Sequence, residues 1–76
     1  MILVDVRTAE EYANGHRPDA LNIPVQDIMR GSLGKLADMS LDTEIGCYCA
    51  SGARSAVACQ VLGSRGFTRV QNLGGY

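Results

Sequence analysis

The amino-acid sequence predicts an α/β domain in which a mostly parallel sheet is flanked by helices. Short apolar runs, typical of buried strands, alternate with helical segments in the order strand, helix, strand, helix, strand, helix, strand. Apolar residues make up 46% of the chain, a proportion typical of globular domains. The length of 76 residues is enough for only one domain, so we expect a single domain over residues 1–76.

Four segments have the apolar character and the flanking turn residues of strands. The predicted strands cover residues 2–6, 20–23, 45–49 and 67–73. Gly46 lies inside the third of them, where a glycine usually indicates a bulge or a close backbone approach. The pair Gly74-Gly75 is expected to end the regular structure.

Helices are predicted between these strands. They cover about residues 9–14, two short pieces within residues 25–39, and residues 55–64. Thr8 and Glu11 have the spacing of a capping box at the start of the first helix, and Gly15 is suited to end it. The last helix has an apolar stripe at helical spacing, formed by Ala58, Val61 and Leu62.

The charge pattern argues against several classes of partner. The formal net charge is −1 and both signs are mixed along the chain, so we expect no nucleic-acid partner and no polybasic membrane anchor. No apolar run approaches the roughly 20 residues of a membrane helix, and the apolar start is too short for a signal peptide. A cytoplasmic location is therefore the default expectation.

The three cysteines do not have the pattern of a disulfide framework or a metal site. Their number is odd, and Cys47 and Cys49 are separated by one residue, which puts both on one face of a strand. The only histidine, His16, lies far away in sequence, so we expect no metal and no other cofactor. Cys47 is expected to be a core residue of its strand and Cys59 a packing residue of the last helix, with a role as a resolving thiol as the alternative for either.

The junction of the third strand with its helix has the features of a reactive-cysteine site. Cys49 lies at the carboxyl end of the strand, where the sites of open α/β sheets are found. Small residues follow, and the backbone amides of such a loop can form a cradle for an anion beside a helix N-terminus. A thiol there should have a lowered pKa. Gly52 allows a positive φ, and Arg54 can bind an anionic substrate. The alternative is an inert cysteine buried in a tight turn.

Nearly the whole chain resembles the rhodanese family. The matching segments are residues 5–7 (Asp-Val-Arg), 11–12 (Glu-Tyr), 15–16 (Gly-His), 20–24 (Ala-Leu-Asn-Ile-Pro), 49–55 (Cys-Ala-Ser-Gly-Ala-Arg-Ser), 66–67 (Gly-Phe) and 72–75 (Asn-Leu-Gly-Gly). The resemblance implies a parallel sheet flanked by helices. It also indicates that the first strand and helix and the last helix usual in the family are lacking, as in a minimal version, a fragment or a protein that needs a partner.

The resemblance further implies sulfur transfer. A donor such as thiosulfate would give its outer sulfur to Cys49, and the resulting persulfide would pass it to a thiol, which could belong to a protein, or in assays to cyanide. Cys49 is then the nucleophile, and Arg54 helps bind the donor anion. The residues implied to bind the substrate, mostly through backbone amides, are Ala50, Ser51, Gly52, Ala53 and Arg54.

Two other functions remain open at this stage. One is a binding or regulatory module that keeps the rhodanese scaffold without turnover. The other is a small cysteine phosphatase, which the loop disfavours because four residues separate Cys49 from Arg54 instead of the five usual in phosphatases. Asp5 and Arg7 are expected to pair at a buried strand end, and His16 to be a hydrogen-bonded turn residue.

Overall fold

The computed structural model describes residues 1–76 and contains one four-stranded sheet. The strands are β1 Ile2–Asp5, β2 Leu21–Asn22, β3 Ile45–Cys49 and β4 Val70–Gly75. They are all parallel and lie in the order β2-β1-β3-β4. The helices are α1 Ala9–Ala13, α2 Val25–Met29, a 3-10 helix at Gly34–Asp38 and α3 Ala53–Ser64. The predicted α/β fold with a parallel sheet is therefore confirmed. None of these helices has both the length and the apolar character needed to cross a membrane.

The strand order reverses between β1 and β3. From β1 the chain goes outward to β2, and it then returns to the other side of β1 to form β3. Ligand sites of open α/β sheets lie where the strand order reverses in this way. Because Asp5 pairs with Tyr48, the chain leaves β1 and β3 at the same edge, next to Cys49.

The core lies on the sheet face that α2 and α3 cover. It includes the alternate residues of the two central strands, Val4 and Val6, and Ile45, Cys47 and Cys49. Two residues of the predicted stripe on α3 are fully buried against them, Ala58 and Leu62, and Val61 is partly buried. The prediction that Cys47 is a core residue is confirmed.

The prediction for β4 was wrong at both ends. Phe67 donates its N–H to the carbonyl of Leu62 at 3.2 Å and follows Gly66, whose φ is +105°, so both residues belong to the cap of α3. Helix capping thus takes the apolar Phe67 out of the strand. At the other end, the Gly74-Gly75 pair continues β4 and pairs with Tyr48 and Cys49.

The irregularity of the sheet lies in β4, opposite β3. Cys47 pairs with Asn72 and Tyr48 with Gly74, so Leu73 is an extra residue in β4. Gly46 instead marks a close approach, since a Cβ there would lie 2.7 Å from side-chain atoms of both Leu73 and Met1.

Two further boundaries differ from the sequence prediction. Helix α3 begins at Ala53, two residues earlier than predicted, which puts Arg54 in its first turn. Strand β2 is limited to two residues, because Pro24, which has no N–H to donate, soon follows and is the N-cap of α2.

Candidate active site

Cys49 is the last residue of β3, and its side chain is fully buried. Two backbone N–H groups donate to its Sγ, that of Gly52 at 3.0 Å and that of Ser55 at 3.4 Å. Gly52 has φ +96°, the left-handed conformation that the sequence led us to expect, and it is the N-cap of α3. The loop thereby turns back on itself and directs main-chain donors at the sulfur.

These donors make Cys49 more acidic than an ordinary cysteine. Burial of the thiol opposes its ionisation, but hydrogen bonds outweigh burial and lower the pKa of Cys49 from 9.0 to about 7. The groups that lower it are the backbone amides of Ser55, Ser51 and Gly52, together with the Ser55 hydroxyl when its proton faces the ionised sulfur. The N-terminus of α3 adds positive potential at the same place. A large fraction of Cys49 is therefore thiolate at neutral pH.

Ser55 lies at the site, although the sequence, which placed it in the matching loop and at the start of a helix, indicated no role for it. Its Oγ lies 3.5 Å from the Cys49 Sγ and 2.6 Å from the Asn72 Oδ1. Since α3 begins at Ala53, Ser55 is the third helical residue, and its amide is among those without an intrahelical acceptor. A correct helix boundary would have identified Ser55 from the sequence.

The end of β4 supports the loop from the side. The Asn72 Nδ2 donates to the Gly52 carbonyl at 3.1 Å, and the Gly74 amide donates to the Asn72 Oδ1 at 2.9 Å. Gly75 lies directly against the Ala50 carbonyl, where no Cβ would fit. The absence of a side chain at Gly75 thus allows the strand to approach the loop closely.

Arg54 lies at the edge of the site and forms an ion pair with Glu11 of α1. Its two terminal nitrogens donate to the two carboxylate oxygens, Nη1 to Oε1 at 2.7 Å and Nη2 to Oε2 at 3.0 Å. The guanidinium and a bond from the Thr8 amide lower the pKa of Glu11 to about 2. The capping box of Thr8 and Glu11 is present as predicted, but its carboxylate also holds Arg54.

A small cavity opens beside Arg54. Its volume is about 130 Å³, which is room for one small ligand or a few water molecules. It is lined by Val6, Thr8, Pro24, Val25, Gln26 and Arg54. The cavity lies between the carboxyl ends of the strands, and Arg54 is its only charged lining residue.

The other polar residues of this edge have structural roles, as predicted. Asp5 is fully buried, and the Arg7 guanidinium binds it at 2.7 Å. Arg7 also donates to the Gly15 carbonyl at 2.7 Å. His16 bonds through Nδ1 to the Tyr12 carbonyl at 2.8 Å, and its ring stacks on that of Tyr12.

The other cysteine of β3, Cys47, is not activated. Burial raises the pKa of Cys47 to about 12, so this thiol stays protonated.

Comparison with known proteins identifies the family. The profile described as "Rhodanese-like domain" matches residues 1–76. The chain belongs to the rhodanese-like domain family. The resemblance found in the sequence is thereby confirmed.

Two relatives of this rhodanese-like domain carry names that describe an activity. A "Sulfurtransferase" from Allochromatium vinosum is 41% identical over 75 residues, which are 99% of this chain and 66% of the relative. "Thiosulfate sulfurtransferase PspE" from Escherichia coli is 35% identical over 72 residues, which are 95% of this chain and 67% of the relative. The chain spans about two thirds of the length of these curated relatives.

Solved structures of the family have the same fold. The human single-domain sulfurtransferase TSTD1 superposes with a TM-score of 0.84 at 32% identity, over 99% of this chain and 76% of that one. A rhodanese with anions from Escherichia coli gives a TM-score of 0.84 at 31% identity, over 97% of this chain and 85% of that one. The four-stranded sheet described above is therefore the rhodanese sheet.

Proposed function

We propose that this rhodanese-like domain is a sulfurtransferase that carries a sulfane sulfur as a persulfide on Cys49. The observation that carries the proposal is the pair of backbone N–H groups, from Gly52 and Ser55, that donate to a buried sulfur whose pKa is lowered to about 7. A thiolate is the nucleophile that sulfur transfer needs, and main-chain donors stabilise it without a general base.

The first half of the reaction forms the persulfide. The Cys49 thiolate attacks the outer sulfur of the donor, and a new S–S bond forms on Sγ while the S–S bond of the donor breaks. With thiosulfate, the electron pair of the broken bond leaves on sulfite. The negative charge that Sγ held then lies on the outer sulfur of the persulfide.

The second half returns the enzyme to its starting state. The thiolate of an acceptor attacks the outer sulfur, the bond to Sγ breaks, and Sγ recovers its electron pair and its charge. The acceptor leaves as a persulfide, or as thiocyanate if cyanide takes its place. No cofactor is needed, because no electrons are gained or lost overall.

The start of α3 can hold the charged outer sulfur. The first N–H groups of a helix have no intrahelical acceptor, and those of Ala53 and Arg54 belong to this set. Together with the loop amides of Ala50 and Ser51, they would surround a sulfur attached beyond Sγ. These residues, with Gly52, form the substrate-binding set of the proposal.

Thiosulfate is the first donor to test. The Escherichia coli relative is named for that substrate, and Arg54 lies beside a cavity of about 130 Å³ that suits a small anion. Another persulfide is the second donor class, with a thiol as acceptor in either case. The cytoplasmic location stays a prediction.

Mass spectrometry of the intact protein tests the proposal. After incubation with thiosulfate and removal of the excess, we expect a gain of one sulfur atom per chain and release of one sulfite. A small thiol should then remove the added sulfur. Cys49→Ser should show no gain, whereas the matched control Cys59→Ser should gain sulfur like the unaltered protein.

The same experiment distinguishes the alternative. If a folded protein gained no sulfur from thiosulfate or from a small persulfide, the persulfide carrier would be excluded. The chain would then be a binding or regulatory module of the rhodanese-like family. Folding in each variant is checked by circular dichroism.

A further inference from the structure

The orientation of the Asn72 side-chain amide is fixed by its backbone partners. The Gly74 N–H can only donate, so the atom it contacts at 2.9 Å must be the oxygen of Asn72. The Gly52 carbonyl can only accept, so the atom facing it at 3.1 Å must be the nitrogen. The Asn72 Oδ1 is therefore an acceptor toward its third neighbour, Ser55.

The Ser55 hydroxyl then has one proton and three competing acceptors, of which the Gly52 carbonyl, at 3.1 Å, is a longer contact than the Asn72 Oδ1. Its contact with the Asn72 Oδ1, at 2.6 Å, is an O–H···O bond of ordinary length and requires the proton to point at Asn72. The Cys49 Sγ lies 3.5 Å away on the other side. With the proton on the Asn72 side, the hydroxyl presents a lone pair to Cys49 and suits a thiol. The hydroxyl stabilises a thiolate only if its proton turns toward the sulfur.

We propose that Asn72 is a positioning residue that competes with Cys49 for the Ser55 proton, so that this proton follows the charge on Sγ. When Sγ is charged, the hydroxyl turns to the sulfur, and Asn72 keeps its bond from Gly74. When Sγ is neutral, the hydroxyl turns back to Asn72.

This inference rests on the proposed function for its role in turnover. In the persulfide the charge lies on the outer sulfur and Sγ is neutral. The Ser55 proton therefore returns to Asn72. When the acceptor attacks, charge develops on Sγ and the hydroxyl can turn to meet it. A donor that is engaged only as charge develops favours the transition state over the ground state.

Few charged groups surround this pair of residues. Arg54 on α3 is the nearest cation that responds to the charge on Cys49, and Glu11 on α1 neutralises it. On β1, Asp5 is paired with Arg7. On the helix side, the thiols of Cys47 and Cys59 have raised pKa values and stay neutral. Strand β4 contributes no charged side chain.

Titration of Cys49 in Asn72 variants tests the competition. The rate of alkylation of Cys49 by iodoacetamide, followed by peptide mass spectrometry as a function of pH, reports its pKa without any sulfur transfer. In Asn72→Ala the hydroxyl loses its nearest competing acceptor and keeps only the longer contact with the Gly52 carbonyl, so we expect the pKa of Cys49 to fall by about half a unit to one unit. In Asn72→Asp the acceptor becomes stronger and charged, so we expect the pKa to rise.

Ser55→Ala shows whether the effect of Asn72 depends on the Ser55 hydroxyl. Without the hydroxyl the pKa of Cys49 should rise, and a further Asn72→Ala change should then have no effect on it. Gln71→Ala is the matched control, since Gln71 is an exposed neighbour on β4 without a contact to the loop. Asn72 is also exposed, so its substitution should leave the sheet intact, and the Ser55→Ala variant shows whether the loss of its bonds to Gly52 and Gly74 has an effect of its own.

The competition would be contradicted if Asn72→Ala raised the pKa of Cys49, equally with and without Ser55, because that is the result of a loosened loop. It would also be contradicted if Asn72→Asp left the pKa unchanged. In thiosulfate, Asn72→Ala should retain less persulfide than the unaltered protein. If no variant formed any persulfide, the proposed function would fail, whereas the alkylation shifts would still decide the role of Asn72.

Discussion

Glu11 and Arg54, which are 43 residues apart in sequence, form a two-pronged ion pair that joins α1 to the first turn of α3. The pair fixes the guanidinium at the edge of the site and cancels its charge. Because the pKa of Glu11 is lowered to about 2, the carboxylate stays charged at every physiological pH. A small anion that approaches Arg54 therefore meets a neutral pair rather than a free cation.

Removing that negative charge should improve the use of an anionic donor. Glu11→Gln keeps an amide oxygen to accept from Arg54 but frees the guanidinium charge. We expect the KM for thiosulfate to fall by about three- to tenfold, the effect of one nearby partly exposed charge. Glu10→Gln on the exposed side of α1 is the matched control and should leave KM unchanged. An increase in KM would mean that Glu11 orients Arg54 for the donor more than it neutralises it.

Loss of the Arg54 side chain should affect the binding of the sulfur donor more than the stability of the fold. In Arg54→Ala we expect the KM for thiosulfate to rise about tenfold, because the anion loses a guanidinium donor and meets the Glu11 carboxylate without its partner. The free energy of unfolding should fall by no more than about 1 kcal/mol, since the side chains of the ion pair are each more than one third exposed. Steady-state kinetics and urea unfolding give the two values. Unchanged thiosulfate kinetics would remove Arg54 from the substrate-binding set.

Two glycine substitutions distinguish an effect on the shape of the loop from an effect on the overall stability of the protein. In Gly75→Ala the new methyl group would collide with the Ala50 carbonyl, so we expect the loop to shift and sulfur transfer to fall by more than about tenfold. In Gly63→Ala the methyl group meets no atom within 4 Å, and the change lies inside α3. That control should keep full activity and raise the free energy of unfolding by up to about 1 kcal/mol. Equal activity in both variants would show that β4 does not shape the loop.

The sequence was sufficient to predict the elements that depend only on neighbouring residues. The capping box of Thr8 and Glu11 needs only a spacing of three residues, and β3 needs only an apolar run. The position of Cys49 at the carboxyl end of β3 follows from that run and from the helix after it. The positive φ of Gly52 follows from the tight turn between them.

The parts that sequence reasoning missed depend on contacts between distant segments. The partnership of Glu11 with Arg54 joins two helices and leaves no local pattern. The Gly74-Gly75 pair has the composition of a strand end, yet it continues β4, and Gly75 lies against the Ala50 carbonyl, where no Cβ would fit. Phe67 has the apolar character of a strand residue but is used to cap α3.

The measurement that tests the account most directly is the pH dependence of Cys49 alkylation in the unaltered protein. Hydrogen bonds from the loop lower the pKa of this thiol, so the reactive thiolate should appear as the pH rises through about 7. We predict an alkylation rate that rises through that pH and then levels off, while Cys47, whose pKa is raised to about 12, does not react. A folded protein in which Cys49 stayed unreactive until about pH 9, the range of an ordinary thiol, would contradict the account.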